Sequence, residues 1–106
     1  MTVPEITAAE FLARRANGET ITLLDVREDW ELNVASVAGI VHIPMGQVAG
    51  RLSELDLKTE IVVLCRSGRR SLEVARFLQQ QGYRTANLTG GILAWARDID
   101  PSLATY

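Results

Sequence analysis

The chain has little sulfur and imidazole: one cysteine, Cys65, and one histidine, His42, among 106 residues. A single thiol excludes an internal disulfide and a Cys-x-x-Cys redox pair. One cysteine with one histidine also excludes a closed zinc site, so neither a metal nor a cofactor is expected. No charge excess is present, since 11 basic and 13 acidic residues leave a net charge of -2. That balance offers no basic footprint for nucleic acid. No apolar run approaches the ~20 residues that span a bilayer, so no membrane association is expected. The first residues, "MTVPEITAAEF", have neither a basic start nor an apolar leader, and the expected setting is cytoplasmic. Repeats, low-complexity tracts and linkers are absent too, which leaves residues 1–106 as one domain with one core.

What is present is an alternation of apolar runs and amphipathic segments. "TITLLDV" (20–26) and "EIVVLC" (60–65) are rich in β-branched residues and leucine, as in strands buried on both faces. "IVHIP" (40–44) predicts a brief strand stopped by Pro44, and "RTANL" a last strand. Between them lie predicted helices at 7–16, within "REDWELNV", at 47–55, at 71–81, and from the glycine pair Gly90-Gly91 onward. Thr7 and Glu10 have capping-box spacing at the first of these, and Gly18 follows its end. Leu72, Ala75 and Leu78 carry the apolar stripe of the fourth, with Val74 and Phe77 flanking and Gly82 as its C-cap. Strands alternating with helices predict an α/β domain: a mainly parallel sheet of about five strands, helices on both faces, three layers in all. Such sheets bind ligands beyond the carboxyl ends of their strands, where Cys65 falls.

Cys65 runs directly into "RSGRRS". A free thiol ionises near ~8.5, so a useful nucleophile needs that value lowered by inward-facing amides or nearby cations. A strand-to-helix loop from Cys65 to Ser71 can curl its amides around the sulfur as an anion-binding nest, and Gly68 permits the positive φ such a curl needs. Arg66, Arg69 and Arg70 add positive potential. The same features would hold an incoming oxyanion.

The segment Cys65-Arg66-Ser67-Gly68-Arg69-Arg70-Ser71 resembles the active-site loop of single-domain rhodaneses, the thiosulfate sulfurtransferases. "LLDVRE" (23–28), "HIP" (42–44), "GY" (82–83) and "NLTGGILAW" (87–95) resemble that family's other signatures, in order and along nearly the whole chain. The resemblance implies a rhodanese-like domain and ping-pong sulfur transfer: Cys65 takes the outer sulfur of thiosulfate as a persulfide and passes it to cyanide or a thiol. A protein sulfur donor or acceptor, making the domain a relay module, is the alternative. The family commonly has Gly-His-Ile-Pro-Gly-Ala where this chain has "ASVAGI" (35–40), which keeps only Gly39 and has Ser36 and Ala38 for the histidine and proline. Dual-specificity phosphatases and arsenate reductases resemble the family but have a loop one residue longer, with the phosphate-clamping arginine six positions beyond the cysteine. Here that position is Ser71, and the arginine is Arg70.

The other polar residues near strand ends have simpler expected roles. Asp25 and Arg27, just past a buried strand, are expected to pair and support the site. Arg70 is expected to fasten the loop to the body of the domain, and Arg66 and Arg69 either face the donor or stay in solvent. His42 is expected to be a satisfied core or edge histidine, and Trp30 and Trp95 to be packing residues.

Overall fold

The computed structural model describes residues 2–106. Nine segments were expected from the sequence; eight are found as the expected type, the ninth (47–55) takes another form, and one further strand joins them. The order is β1 (Glu5–Ile6), α1 (Ala8–Ala16), β2 (Ile21–Asp25), α2 (Asp29–Val34) and β3 (Ile40–His42), then two 3-10 turns at Met45–Gln47 and Ala49–Glu54. β4 (Glu60–Leu64), α3 (Arg69–Gln80), β5 (Thr85–Leu88) and α4 (Gly91–Asp98) complete it. No helix among the described residues is long and apolar enough to cross a membrane.

The strands form one sheet in the order β1-β5-β4-β2-β3, and every pairing is parallel. Successive side chains of a strand point to opposite faces, and β4 shows it: Val62 and Leu64 face one core, Ile61, Val63 and then Cys65 the other. The first core packs Phe11 of α1 and Ile92 and Trp95 of α4; the second packs Val74, Ala75 and Leu78 of α3 with Ile43, Val48 and Leu55. Each fully buried Leu or Val contributes roughly 1.5–3 kcal/mol, so both layers hold the sheet tightly.

Two expectations are corrected by packing. Residues 47–55 form 3-10 turns rather than an α-helix, because Arg51 leaves the helical region (φ −126°, ψ 24°). In α3 the fully buried face is Ser71, Val74, Ala75 and Leu78, while Leu72 is half-buried, and the helix starts at Arg69, two residues before the expected position. A hydroxyl therefore occupies the first core position of α3, directly below the loop.

The chain proceeds from β2 to β3 on one side and returns to β4 on the other, so strand order reverses between β2 and β4. Their carboxyl ends open the crevice where doubly wound sheets take ligands. Asp25 pairs in register with Leu64, and the amide of Val26 donates to the Leu64 carbonyl at 3.0 Å. Arg27 and Cys65, one residue beyond those contacts, flank the crevice.

Candidate active site

Cys65 ends the apolar run of β4, and residues 66–68 turn the chain into α3. Gly68 takes φ +99°, a left-handed conformation open to glycine, and sits at the N-cap of α3. That turn aims its amide at the sulfur: Gly68 N lies 3.1 Å from Cys65 Sγ. A Cβ at Gly68 would also press on the Gly90 nitrogen at 3.4 Å.

Cys65 is 1% exposed, at the bottom of the loop rather than at its rim. Burial pushes its thiol up, but hydrogen bonding at Ser71 and at the amides of Gly68 and Ser67 outweighs it, and the pKa falls below that of a free thiol. The sulfur is thus poorly solvated yet surrounded by hydrogen-bond donors. Ionisation here relies on fixed main-chain dipoles, which need no reorganisation when charge appears.

The arginines divide in three ways. Arg70, half-buried, forms a bidentate pair with Glu31 of α2 at 2.6 and 2.8 Å, fastening the first turn of α3 to α2. Hydrogen bonds from Arg70 hold the Glu31 carboxyl down at about 2, against the opposing effect of burial, with help from the Tyr106 hydroxyl and the Glu28 amide. Arg66 turns back to the end of the chain, its Nε donating to the Tyr106 carbonyl and its guanidinium 5.2 Å from the centre of the Tyr106 ring. Arg69 is exposed at the start of α3. Ser67 is exposed as well, while Gly68 and Ser71 are buried.

Asp25 and Arg27 are both fully buried. Arg27 Nη2 meets Asp25 Oδ2 at 2.8 Å, Nε reaches both carboxylate oxygens at 3.0 and 3.1 Å, and the Arg27 amide donates to Oδ1 at 3.0 Å. Burial opposes the Arg27 charge, but Asp25 and then Tyr106 more than compensate, and its pKa is raised. Its free Nη1 donates to the Glu31 carbonyl at 3.3 Å and to the Tyr106 hydroxyl at 3.0 Å, and that hydroxyl donates to Glu31 at 2.6 Å. Burial also pushes the Tyr106 hydroxyl up, so it remains a donor. The end of β2, the first turn of α3 and the C-terminal segment are therefore joined through Glu31.

Three participants carried no sequence signal as site residues: Glu31, Tyr106 and Asn87. Asn87 on β5 accepts from the Ser71 hydroxyl at 2.5 Å and donates to the Gly68 carbonyl at 3.0 Å. The pair Gly90-Gly91, expected as a tight turn, has a second role. The Ile92 and Leu93 amides of α4 donate to the Cys65 and Arg66 carbonyls at 2.9 and 3.1 Å. His42 is half-buried on β3 and touches the Arg27 carbonyl at 2.6 Å through Nε2. Trp95 packs on Phe11, but Trp30, expected to be a packing residue, is 60% exposed, with an edge-on contact to Tyr106 at 5.8 Å. Gly39, kept from the family's turn, takes φ +75° just before β3.

Fold and loop define an α/β protein with a thiol at a parallel-sheet switch point, inside a turn of inward amides. The chain belongs to the rhodanese-like domain family, whose model matches residues 7–98. A sulfurtransferase of Allochromatium vinosum is 38% identical over 103 residues, covering 96% of each chain. The crystal structure of a rhodanese-related protein from Thermoplasma volcanium superposes with a TM-score of 0.83 at 30% identity, covering 91% of this chain and 93% of that one. The adenylyltransferase and sulfurtransferase MOCS3-1 of Zea mays is 32% identical over 95% of this chain but only 23% of its own length. Sulfur transfer is the general activity these relatives support.

Proposed function

We propose that the protein moves sulfane sulfur from thiosulfate, or a related persulfide donor, to a thiophilic acceptor through a persulfide on Cys65. One observation carries the reading: the Gly68 amide aims at the sulfur from 3.1 Å, with the Ser67 and Ser71 amides also favouring its ionised form. The Cys65 thiolate attacks the outer sulfur of thiosulfate, the S–S bond breaks, and sulfite departs with the bonding pair, leaving Cys65-S-S⁻. Cyanide or a thiolate then attacks the terminal sulfur, forms thiocyanate or a new persulfide, and returns Cys65 as thiolate. Charge and atoms balance in both halves, and no separate general base is needed once the thiolate exists. The same amides suit the terminal sulfur of the intermediate, which is again an anion.

Phosphoryl chemistry fits less well. The arginine that would clamp phosphate has its end-on fork, Nη1 and Nη2, engaged by both oxygens of Glu31, so that fork is taken from a bidentate oxyanion contact.

A second reading, transfer between proteins, has one observation in its favour. Trp30 stands 60% exposed beside Tyr106, which contacts the loop residue Arg66, so an aromatic surface adjoins the site. The resemblance to part of a longer adenylyltransferase and sulfurtransferase of Zea mays agrees with such use. Thiosulfate kinetics separate the two, because a relay would show a KM far above any plausible donor concentration.

The deciding experiment is intact mass spectrometry after incubation with thiosulfate. The chain should gain one sulfur atom, about 32 Da, removable by dithiothreitol and absent from Cys65→Ala. That variant should keep its fold and form no thiocyanate; a persulfide or full activity in it would rule out the mechanism.

A further inference from the structure

The Ser71 hydroxyl has one hydrogen and faces two acceptors. Cys65 Sγ lies 3.3 Å from its oxygen and Asn87 Oδ1 lies 2.5 Å away, on the neighbouring strand β5. The orientation of the Asn87 amide is fixed by what surrounds its nitrogen. Nδ2 donates to the Gly68 carbonyl at 3.0 Å and to the Glu5 carboxylate at 3.1 and 3.3 Å. A flipped amide would turn its oxygen towards a carbonyl and a carboxylate, neither of which has a hydrogen to give. Oδ1 must therefore face Ser71, and the donation from Nδ2 to Glu5 polarises the amide and makes that oxygen a better acceptor.

The two charge states of Cys65 then differ in how well this chain closes. In the thiol, S–H donates to Ser71 Oγ and Ser71 donates to Asn87, so every hydrogen has a partner. In the thiolate, Ser71 can turn its hydrogen to the sulfur only by leaving two oxygens facing each other at 2.5 Å. If it does not turn, it shows the sulfur a lone pair. The loop amides have no such choice, since their hydrogens point inward in both states.

We propose that Asn87 is a positioning residue that holds the Ser71 hydroxyl hydrogen away from Cys65, so that main-chain amides alone carry the thiolate and β5 sets how readily the thiol ionises. The inference concerns the state of Cys65 before any donor binds, and rests on the reading of Cys65 as the nucleophile only for its consequence in turnover. Other charges around the sulfur are Arg66 and Arg69 of the loop and Arg70 paired with Glu31. The Asp25–Arg27 pair at the end of β2, with Tyr106 and His42 against Arg27, and Glu5 behind Asn87 are the other titratable groups on the elements around it. All of them are unchanged in the variants below, and α4 meets the loop through the Ile92 and Leu93 amides at the Cys65 and Arg66 carbonyls.

The test is the pH dependence of Cys65 alkylation by iodoacetamide in the full chain, for the wild type, Asn87→Ala, Ser71→Ala and the double variant. Asn87→Ala should lower the alkylation midpoint by about one pH unit, a tenfold gain in thiolate below both midpoints. A residue that merely braced Gly68 would do the opposite, since a loosened loop aims its amides less well. Ser71→Ala should move the midpoint by less than about 0.3 unit, and the double variant should match it, because Asn87 acts only through Ser71. A raised or unchanged midpoint in Asn87→Ala overturns the proposal, as does a lowered midpoint that persists in the double variant. Should Asn87→Ala fail to fold, Ser71→Ala decides alone: a rise of about one unit or more shows that the hydroxyl already serves the thiolate. Failure of persulfide formation would remove the sulfur-transfer reading and leave these midpoints standing.

Discussion

The Cys65 carbonyl accepts from the Ile92 amide at 2.9 Å, and Gly91, one residue earlier, lies against the same peptide. A Cβ on Gly91 would fall 2.4–2.5 Å from the carbonyl groups of Arg66 and Cys65, and Gly91 itself has φ +60°. The N-terminus of α4 thus donates to the outward carbonyls of the loop whose amides point at the sulfur. Any side chain there forces the two backbones apart.

Gly91→Ala should therefore cost about 2–4 kcal/mol in urea unfolding, combining steric overlap with a left-handed backbone, and should abolish thiocyanate formation. Gly46→Ala is the control. No atom lies within 4 Å of its Cβ position, and its φ is not positive, so its stability should stay within about 0.5 kcal/mol of the parent. Equal effects of the two substitutions would show that α4 does not support the loop.

Asp25→Asn should be the most destabilising polar substitution in the chain. Both partners of its pair are fully buried, and the change leaves the Arg27 guanidinium without the Asp25 charge and with half of the Asp25 acceptor contacts gone. Removing one member of such a pair costs about 3–5 kcal/mol, whereas the intact pair is worth far less relative to an apolar one. Denaturant unfolding checks the first figure. A loss below about 1 kcal/mol would mean that water reaches Arg27 in the native state.

Much of this arrangement is legible in the sequence, and the legible part is the contiguous part. Cys65 to Ser71 is one segment, so residue types and spacing alone suggested a nest; β2 and β4 announced themselves as unbroken apolar runs. β1 did not, because two residues have no periodicity and Glu5–Ile6 becomes a strand only by pairing with β5. Arg51 broke the expected helix at 47–55 for a similarly tertiary reason, the demand that Leu55 and Val48 reach the α3-side core. Partners distant in sequence were invisible. Glu31 lies 39 positions from Arg70, Asn87 16 from Ser71, and Tyr106 75 from Glu31, and no local pattern links them. Trp30 departs from expectation because hydrophobicity argues for burial while its place in the first turn of α2 presents it to solvent.

Acid should loosen the loop before it unfolds the rest. Glu31 is held at about 2 in the folded chain, against 4.5 for an ordinary glutamate, chiefly by Arg70. Its folded pKa is depressed, so its stabilisation is complete above pH 4.5 and drains away as pH falls towards 2. Glu31→Gln should remove that slope from the stability-versus-pH curve, lower stability at neutral pH by about 1–3 kcal/mol, and converge on the parent in acid. Chemical denaturation between pH 2 and 7 gives both curves. Parallel curves would show that the carboxylate's pairing contributes no pH-dependent stability.

The last prediction concerns a conflict between stability and charge at the start of α3. Arg69 and Arg70 occupy its first two positions, and no acidic residue lies in that turn. Cations at a helix N-terminus oppose the macrodipole at roughly 0.3–1 kcal/mol each. Arg70 is offset by Glu31, and Arg66 by the Tyr106 carbonyl, but Arg69 stands exposed in solvent. Its destabilising position makes sense if its field acts on an anion approaching the same helix end. Arg69→Glu should accordingly raise the unfolding free energy by a few tenths of a kcal/mol to about 1 kcal/mol. The same change should raise the thiosulfate KM roughly tenfold at low ionic strength, with the gap closing as salt is added, because the donor is a dianion and the interaction is screened. Arg66→Ala should change KM less, since that guanidinium is turned to the chain end. Steady-state thiocyanate formation from low to high salt measures all three chains together. If Arg69→Glu has the parent's KM and salt response, the charge of Arg69 has no part in capturing the donor, and a destabilising arginine at that position is left without a function.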